Sequence, residues 1–201
     1  MELIVKIKRL LFVLMILGSV FITGCHEGDN EADFGFGYIY IPQATVSGGL
    51  NNYYPVPGGS GEYTSLNYKV ENGKLNVLLG IIRSGKLSNA SGFSVDVGIS
   101  QAETDEVIAY YISESEDAEA LLASIYTLPD KVTVDAGKDK APFLLSVDIN
   151  SLLSGTYDGK KLVLSVTISN PTQYELSDVN TSVVVVIDVD SIRDVVYPAQ
   201  P

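Results

Sequence analysis

Residues 93–100 read Phe-Ser-Val-Asp-Val-Gly-Ile-Ser, an apolar/polar alternation without an error over eight positions. A period of two puts Phe93, Val95, Val97 and Ile99 on one face of an extended chain, a pattern a helix cannot bury. The same pattern recurs. Leu75, Val77, Leu79 and Ile81 alternate with Asn76, Leu78 and Gly80. Leu145, Val147 and Ile149 oppose Ser146 and Asp148, and Leu162, Leu164, Val166 and Ile168 oppose Ser165, Thr167 and Ser169. Tyr126, Leu128, Val132 and Val134 continue it around Pro129, and Val183, Val185, Ile187 and Val189 close the set. Phe36, Tyr38 and Ile41 mark a first strand ending at Pro42. Short strands separated by Gly, Pro, Asn and Asp predict an all-β chain, an immunoglobulin-like antiparallel β-sandwich with one or two short helices. Val95, Val97, Leu164, Val166, Val185 and Ile187 are the expected core.

Helix signals are sparse. Ser113 and Glu116 have capping-box spacing ahead of 117–124, where Leu121, Leu122 and Ile125 supply an apolar face. Residues 104–111 fit helix or strand equally well. Residues 47–61 hold Gly48-Gly49, Pro55, Pro57 and Gly58-Gly59-Ser60-Gly61, which predicts a long loop.

The N-terminus carries a different signal. Lys6, Lys8 and Arg9 precede an apolar run from Leu10 to Ile22, and Thr23-Gly24 leads to Cys25, the one cysteine of the chain. The run is too short for a spanning helix, which needs about 20 residues. Basic flank, short apolar run and small residues fit a processed signal, and Ile22-Thr23-Gly24-Cys25 resembles the lipobox at which bacterial lipoproteins are cleaved and acylated. The expected division is a signal peptide over 1–24, an acidic tether over 25–35, a sandwich over 36–190 and a C-terminal tail over 191–201. Acids just after the lipidated cysteine resemble the surface-export signal of Bacteroidetes lipoproteins. The expected location is the outer membrane, lipid-anchored and surface-exposed. Two or more acyl chains hold a protein to a membrane stably, one only marginally.

Removal of 1–24 takes away three basic residues and one acidic residue, so the formal charge moves from −12 to −14. Such a surface repels nucleic-acid phosphates. Acylation of Cys25 leaves no thiol for a disulfide, a thiolate metal site or a nucleophile. The one histidine is His26, beside the anchor, so a Ser-His-Asp site has no base in the sandwich. Gly58–Gly61 lacks the Lys-Ser/Thr of a phosphate loop. Asp188 and Asp190 would share a strand face, where Ca²⁺ would need further oxygens; solvated acids are the simpler reading. The seven acids between Glu103 and Glu119 likewise read as a solvated face. No enzyme, cofactor or metal is expected.

The segment Tyr38 to Val189 opens with Tyr38-Ile39-Tyr40-Ile41. It carries Tyr126-Thr127-Leu128-Pro129, then Val132-Thr133-Val134 and Ala136-Gly137, and ends in strands over 159–169 and 182–188. It resembles family 1735 of the domains of unknown function, found in Bacteroidetes surface lipoproteins. The resemblance implies an immunoglobulin-like domain that stands ahead of glycosidase or glycan-binding modules in polysaccharide-capture systems. The expected function is a non-catalytic glycan-binding or assembly component, with a glycan, the membrane and outer-membrane proteins as partners. The alternative is an adhesin or fimbria-like subunit. Candidate ligand residues are Tyr53, Tyr54 and Tyr63, which flank the Gly/Pro loop. Sugar C–H faces stack on aromatic planes and a phenol adds a hydrogen-bonding hydroxyl, while cross-strand packing remains the other role for such rings. Asp190-Ser191-Ile192 resembles a Bacteroides-type O-glycosylation signal at Ser191.

The anchor reading predicts that Cys25→Ser moves the protein from the membrane fraction to the soluble fraction. Unchanged membrane retention would show that another element holds it.

Overall fold

The alternating runs form two facing sheets. The structure, a computed structural model, describes residues 35–46, 52–58 and 67–198; Cys25 and Tyr63 lie outside these. The elements in chain order are β1 (Tyr38–Tyr40), α1 (Gln43–Val46), β2 (Tyr53–Val56), β3 (Tyr68–Glu71), β4 (Lys74–Arg83) and β5 (Phe93–Ile99). Then come α2 (Gln101–Ser113), β6 (Asp117–Ala120), a 3₁₀ turn (Ala123–Ile125), β7 (Tyr126–Thr127), β8 (Lys131–Val134) and β9 (Lys140–Asp148). The chain ends in α3 (Ile149–Leu152), β10 (Lys160–Ser169), β11 (Glu175–Leu176), β12 (Ser182–Asp188) and α4 (Val189–Val196). One sheet has the order β11-β1-β4-β9-β7, with β3 also on β4. The other has the order β2-β12-β10-β5-β8, with β6 also on β10.

This is the β-sandwich that the alternation predicts. The long ladders, β4/β9, β10/β12 and β5/β10, are antiparallel. Each parallel pair involves a short strand: β1/β11, β2/β12 and β6/β10. The six residues expected inside are all buried, and they form one cluster with Val77, Leu79 and Leu145 of the facing sheet. The stretch around Pro129 divides between the sheets, with β7 on β9 and β8 on β5.

Four expectations are corrected. The main helix is α2 at 101–113, not a segment at 117–124. Ser100 caps it, its hydroxyl accepting from the Glu103 N–H at 3.4 Å, and Ser100-x-x-Glu103 has the same spacing as Ser113-x-x-Glu116. Residues 117–120 instead pair with Lys160–Val163 of β10, because β5 covers only 166–169 of that edge. Second, the 47–61 segment contains β2, which runs beside Val184–Ile187 of β12; Pro55, without an N–H, sits there on a sheet edge. Asn67 ties this strand's exit, accepting from the Gly58 N–H at 2.9 Å and donating to the Pro55 carbonyl at 2.8 Å. A Cβ on Gly58 would lie 2.8 Å from the Asn67 amide nitrogen, so a larger residue there would displace the Asn67 amide from these bonds.

Third, residues 191–196 are not a loose tail. They complete α4, whose Val189 and Ile192 are fully buried in the core. Fourth, Asp188 and Asp190 do not share a strand face. Asp188 is the N-cap of α4, accepting from the Ser191 N–H at 2.8 Å, and Asp190 lies in the first turn. The same device ends β9, where Asp148 accepts from the Ser151 N–H at 2.7 Å and begins α3. Each strand thus ends in Asp-x-x-Ser with an apolar residue, Ile149 or Val189, turned inward. The cap satisfies an orphan helix N–H and places negative charge at the dipole's positive end.

The outer side of β10 and β12 is also covered. Val163, Val184 and Val186 point away from the facing sheet and meet Val107 of α2 and Ala118 of β6 in a second apolar cluster. This is why 183–187 is an unbroken apolar run rather than an alternation.

Two predictions follow from this packing and capping. Val185→Asp and Val186→Asp, on opposite faces of β12, should each cost about 3 kcal/mol or more in denaturant unfolding, through lost burial and an unpaired carboxylate. Ser94→Asp on β5 should leave the midpoint nearly unchanged. A mild Val186→Asp would show that α2 does not cover that face. For Asp188, burial pushes the carboxyl up, but the hydrogen bonds from Ser191 and Lys161 together outweigh it and hold the carboxyl below its ordinary value. A depressed carboxylate contributes stability fully above its unfolded pKa and loses that contribution as pH falls through the folded value. Asp188→Ala should therefore cost about 1 kcal/mol at neutral pH, and its gap from wild type should narrow below about pH 4. A gap of equal size at both pH values would show that the charge plays no part.

Candidate functional site

Helix α2 lies over the second sheet because three turns of its sequence fit that face. Thr104 and Val107 are buried, and Ile108 and Tyr111 are partly buried, the spacing of one helix face. Polar groups fix its first turn. The Thr104 hydroxyl donates to the Ser100 carbonyl at 2.8 Å and accepts from the fully buried Ser165 N–H at 3.0 Å. The Glu103 carboxylate accepts from the Ser182 hydroxyl at 3.0 Å and from the Ser165 hydroxyl through its other oxygen. The polar atoms buried by docking the helix are thereby paired, which keeps the docking favourable.

A groove runs between this helix and β2. It has a volume of about 190 Å³, with Asn52 and Tyr53 on one wall, Glu103, Glu106 and Val107 on the other, and Ser182 and Val184 as floor. Tyr53 packs against two rings of α2 that do not themselves line the groove. Tyr53 lies 6.3 Å from Tyr110 and 6.5 Å from Tyr111, the latter nearly stacked at 30°. Tyr110 and Tyr111 meet edge to face at 5.5 Å. Tyr110 is 48% exposed. Burial, then the neighbouring Tyr110 and Glu106, raise the Tyr53 pKa above its ordinary value. Its phenol therefore stays protonated at neutral pH and can donate. Donors (Asn52, Tyr53) and acceptors (Glu103, Glu106) thus face one short groove with an aromatic wall. That inventory suits a ligand rich in hydroxyl groups, each of which both donates and accepts.

The adjacent tyrosines have separate places. Tyr53 pairs in register with Val184 and faces outward; Tyr54 pairs with Val185 and faces the core. The Tyr54 hydroxyl donates to the Leu78 carbonyl of the facing sheet at 3.2 Å, so this ring joins the two layers. Alternation along β2 makes this separation inevitable. Tyr110 and Tyr111 were not singled out by the sequence, although both fall within the 104–111 stretch that fits helix or strand. Reading that stretch as helix from the Ser100-x-x-Glu103 box would have put them near Glu106 and Val107.

Ser191 is partly exposed in the first turn of α4, between the capping Asp188 and the buried Ile192. Four acids near it are engaged. Lys161 pairs with Glu116 at 2.9 Å and Asp188 at 3.1 Å, Lys160 pairs with Glu119 at 3.0 Å, and Asp190 accepts from the Gly159 N–H at 3.1 Å. All of these except Glu119 line an open polar cleft of about 590 Å³. Among the described residues no group of three or more His, Cys, Asp or Glu is placed to hold a metal ion. Nor is any described helix long and apolar enough to cross a membrane.

No family model matches the chain, and no curated protein matches it. Solved structures do. One is a candidate carbohydrate-binding protein from Bacteroides ovatus, 12% identical, covering 75% of this chain and 36% of its own, with a TM-score of 0.44. A second is a multidomain protein including DUF1735 from Bacteroides ovatus, 16% identical, with 75% and 43% coverage and a TM-score of 0.48. A third is the apo form of the Calx CBD1 domain, 13% identical, with 76% and 96% coverage and a TM-score of 0.45. The chain thus spans 36% and 43% of the two Bacteroides chains. At such values the likeness says nothing of a ligand.

Proposed function

We propose that this chain is a non-catalytic, glycan-binding β-sandwich that takes its ligand in the groove between α2 and β2. The observation that carries the reading is the aromatic lining of the groove: Tyr53, itself packed against the Tyr110 and Tyr111 rings, together with Asn52, Glu103 and Glu106. A pyranose offers an apolar C–H face for such a ring and a rim of hydroxyls for such polar groups. Placing the groove on rigid elements, a docked helix and a paired strand, lowers the entropy lost on binding. In this reading the domain belongs with the Bacteroidetes surface lipoproteins of family 1735 and is held at the outer membrane by lipid on Cys25. The tether over 25–35 then presents the groove to polysaccharide outside the cell.

The test begins with a glycan array on residues 26–201, followed by affinity electrophoresis in the polysaccharides that score. Tyr110→Ala removes a half-exposed ring that packs against Tyr53 and should weaken retention about three- to tenfold, the scale of one aromatic contact, with the unfolding midpoint little changed. Tyr53→Ala should weaken retention and lower stability together. Tyr54→Ala should lower stability and leave retention of the folded protein intact. Retention that ignores Tyr53 and Tyr110, or no glycan retained at all, would overturn the proposal.

A further inference from the structure

We propose that the groove selects glycans bearing a free amino group, that is, unsubstituted hexosamine units, over neutral and acidic sugars. This inference rests on the glycan reading of the groove and adds the class of sugar. Glu103 and Glu106 line the groove, and no Lys or Arg lines it. The two carboxylates differ. Both Glu103 oxygens are occupied by serine hydroxyls. Glu106 has neither a hydrogen bond nor an ion pair among the described residues, and it lies close enough to Tyr53 to act on its phenol.

Among the described residues no Lys or Arg forms an ion pair with Glu106. No Lys or Arg occurs between Lys86 and Lys131, so the whole of α2 lacks one. On this face Lys161 stands 5.6 Å from the Tyr111 ring centroid, and its ammonium is held by Glu116 and Asp188. A concave site lined by anions and flanked by a low-dielectric wall concentrates positive charge. Uronates and sulfated sugars would meet repulsion from both glutamates.

The form of the site separates an amine from a metal ion. A hard divalent cation requires six to eight converging oxygens, and the described residues supply no such cluster. An ammonium needs less: one unpaired carboxylate and an aromatic face, whose quadrupole attracts cations. Glu106 and Tyr53 provide both in one groove. The remaining hydroxyls of the sugar then face Asn52 and Glu103.

Titration calorimetry on the full chain, with an oligomer of β-1,4-linked glucosamine, its fully N-acetylated counterpart and an oligogalacturonate, tests this. The amine oligomer should bind about five- to tenfold more tightly than the acetylated one at low ionic strength, and the uronate should not bind. Glu106→Gln, whose amide oxygen still accepts a hydrogen bond, should lower affinity for the amine oligomer about five- to tenfold and affinity for the acetylated oligomer much less, so that the preference disappears. Glu114→Gln, at the C-cap of the same helix and outside the groove, should have no effect. Equal or tighter binding of the acetylated oligomer, still sensitive to Tyr110→Ala, would overturn the amine preference and leave the glycan reading standing. An equal loss from Glu114→Gln and Glu106→Gln would trace the attraction to net charge and overturn it too. No binding of any oligomer, or binding insensitive to Tyr110→Ala, would remove both.

Discussion

The ladder between β10 and β12 carries the rest of the structure. Seven register pairs, from Lys161 with Asp188 to Thr167 with Ser182, hold these two strands together. Their inward residues, Leu162, Leu164, Val166, Val183, Val185 and Ile187, close the sandwich against β4 and β9. Their outward residues are just as apolar at Val163, Val184 and Val186. A sheet that is apolar on both sides must be covered twice, and α2 with β6 is the second cover. The polar residues on that outer face, Ser165 and Ser182, dictate how the cover is attached, since each needs a partner once water is removed. Glu103 answers both. The position of α2 is thereby fixed, and with it the spacing between α2 and β2 that leaves a groove.

Strands buried on one side were legible because alternation survives where one side stays wet. β5 is the clearest case, and its buried residues match its pattern. β12 shows where the signal ends. Ser-Val-Val-Val-Val-Ile-Asp contains the expected inward set at 183, 185 and 187, but the residues between them are apolar too, and alternation cannot say what covers them. The helix was missed for a related reason. Two capping boxes lie thirteen residues apart, and the choice between Ser100 and Ser113 depends on a long-range fact, that the 160–163 edge of β10 needs a strand and takes 117–120. The end of the domain was hidden because Val-Asp-Ile-Asn-Ser and Ile-Asp-Val-Asp-Ser look like strand continuations. Their shared Asp-x-x-Ser spacing is a local capping signal and was readable.

The candidate site was legible by half. Tyr53 is readable as an exposed ring on a short extended segment, and the alternation at Tyr53-Tyr54 is local. Its neighbours Tyr110 and Tyr111, and the carboxylates at 103 and 106, arrive through the docking of a helix more than forty residues away in sequence. Contacts of that range are set by tertiary packing, which no local pattern encodes. The acidic stretch read as a plain solvated face proves to be divided. Glu103 is structural, Glu116 and Glu119 are held by Lys161 and Lys160, and Glu106 remains without a partner among the described residues.

The groove persists only if α2 is a fixed part of the domain and not a surface helix that comes and goes. Native-state hydrogen exchange tests this directly. The amides of 104–111 should be protected to nearly the level of β12, with opening that approaches global unfolding. Protection of those amides at the level of an exposed, fraying helix would mean that the outer face of β10 and β12 is not held covered and that the groove beside Tyr53 does not persist.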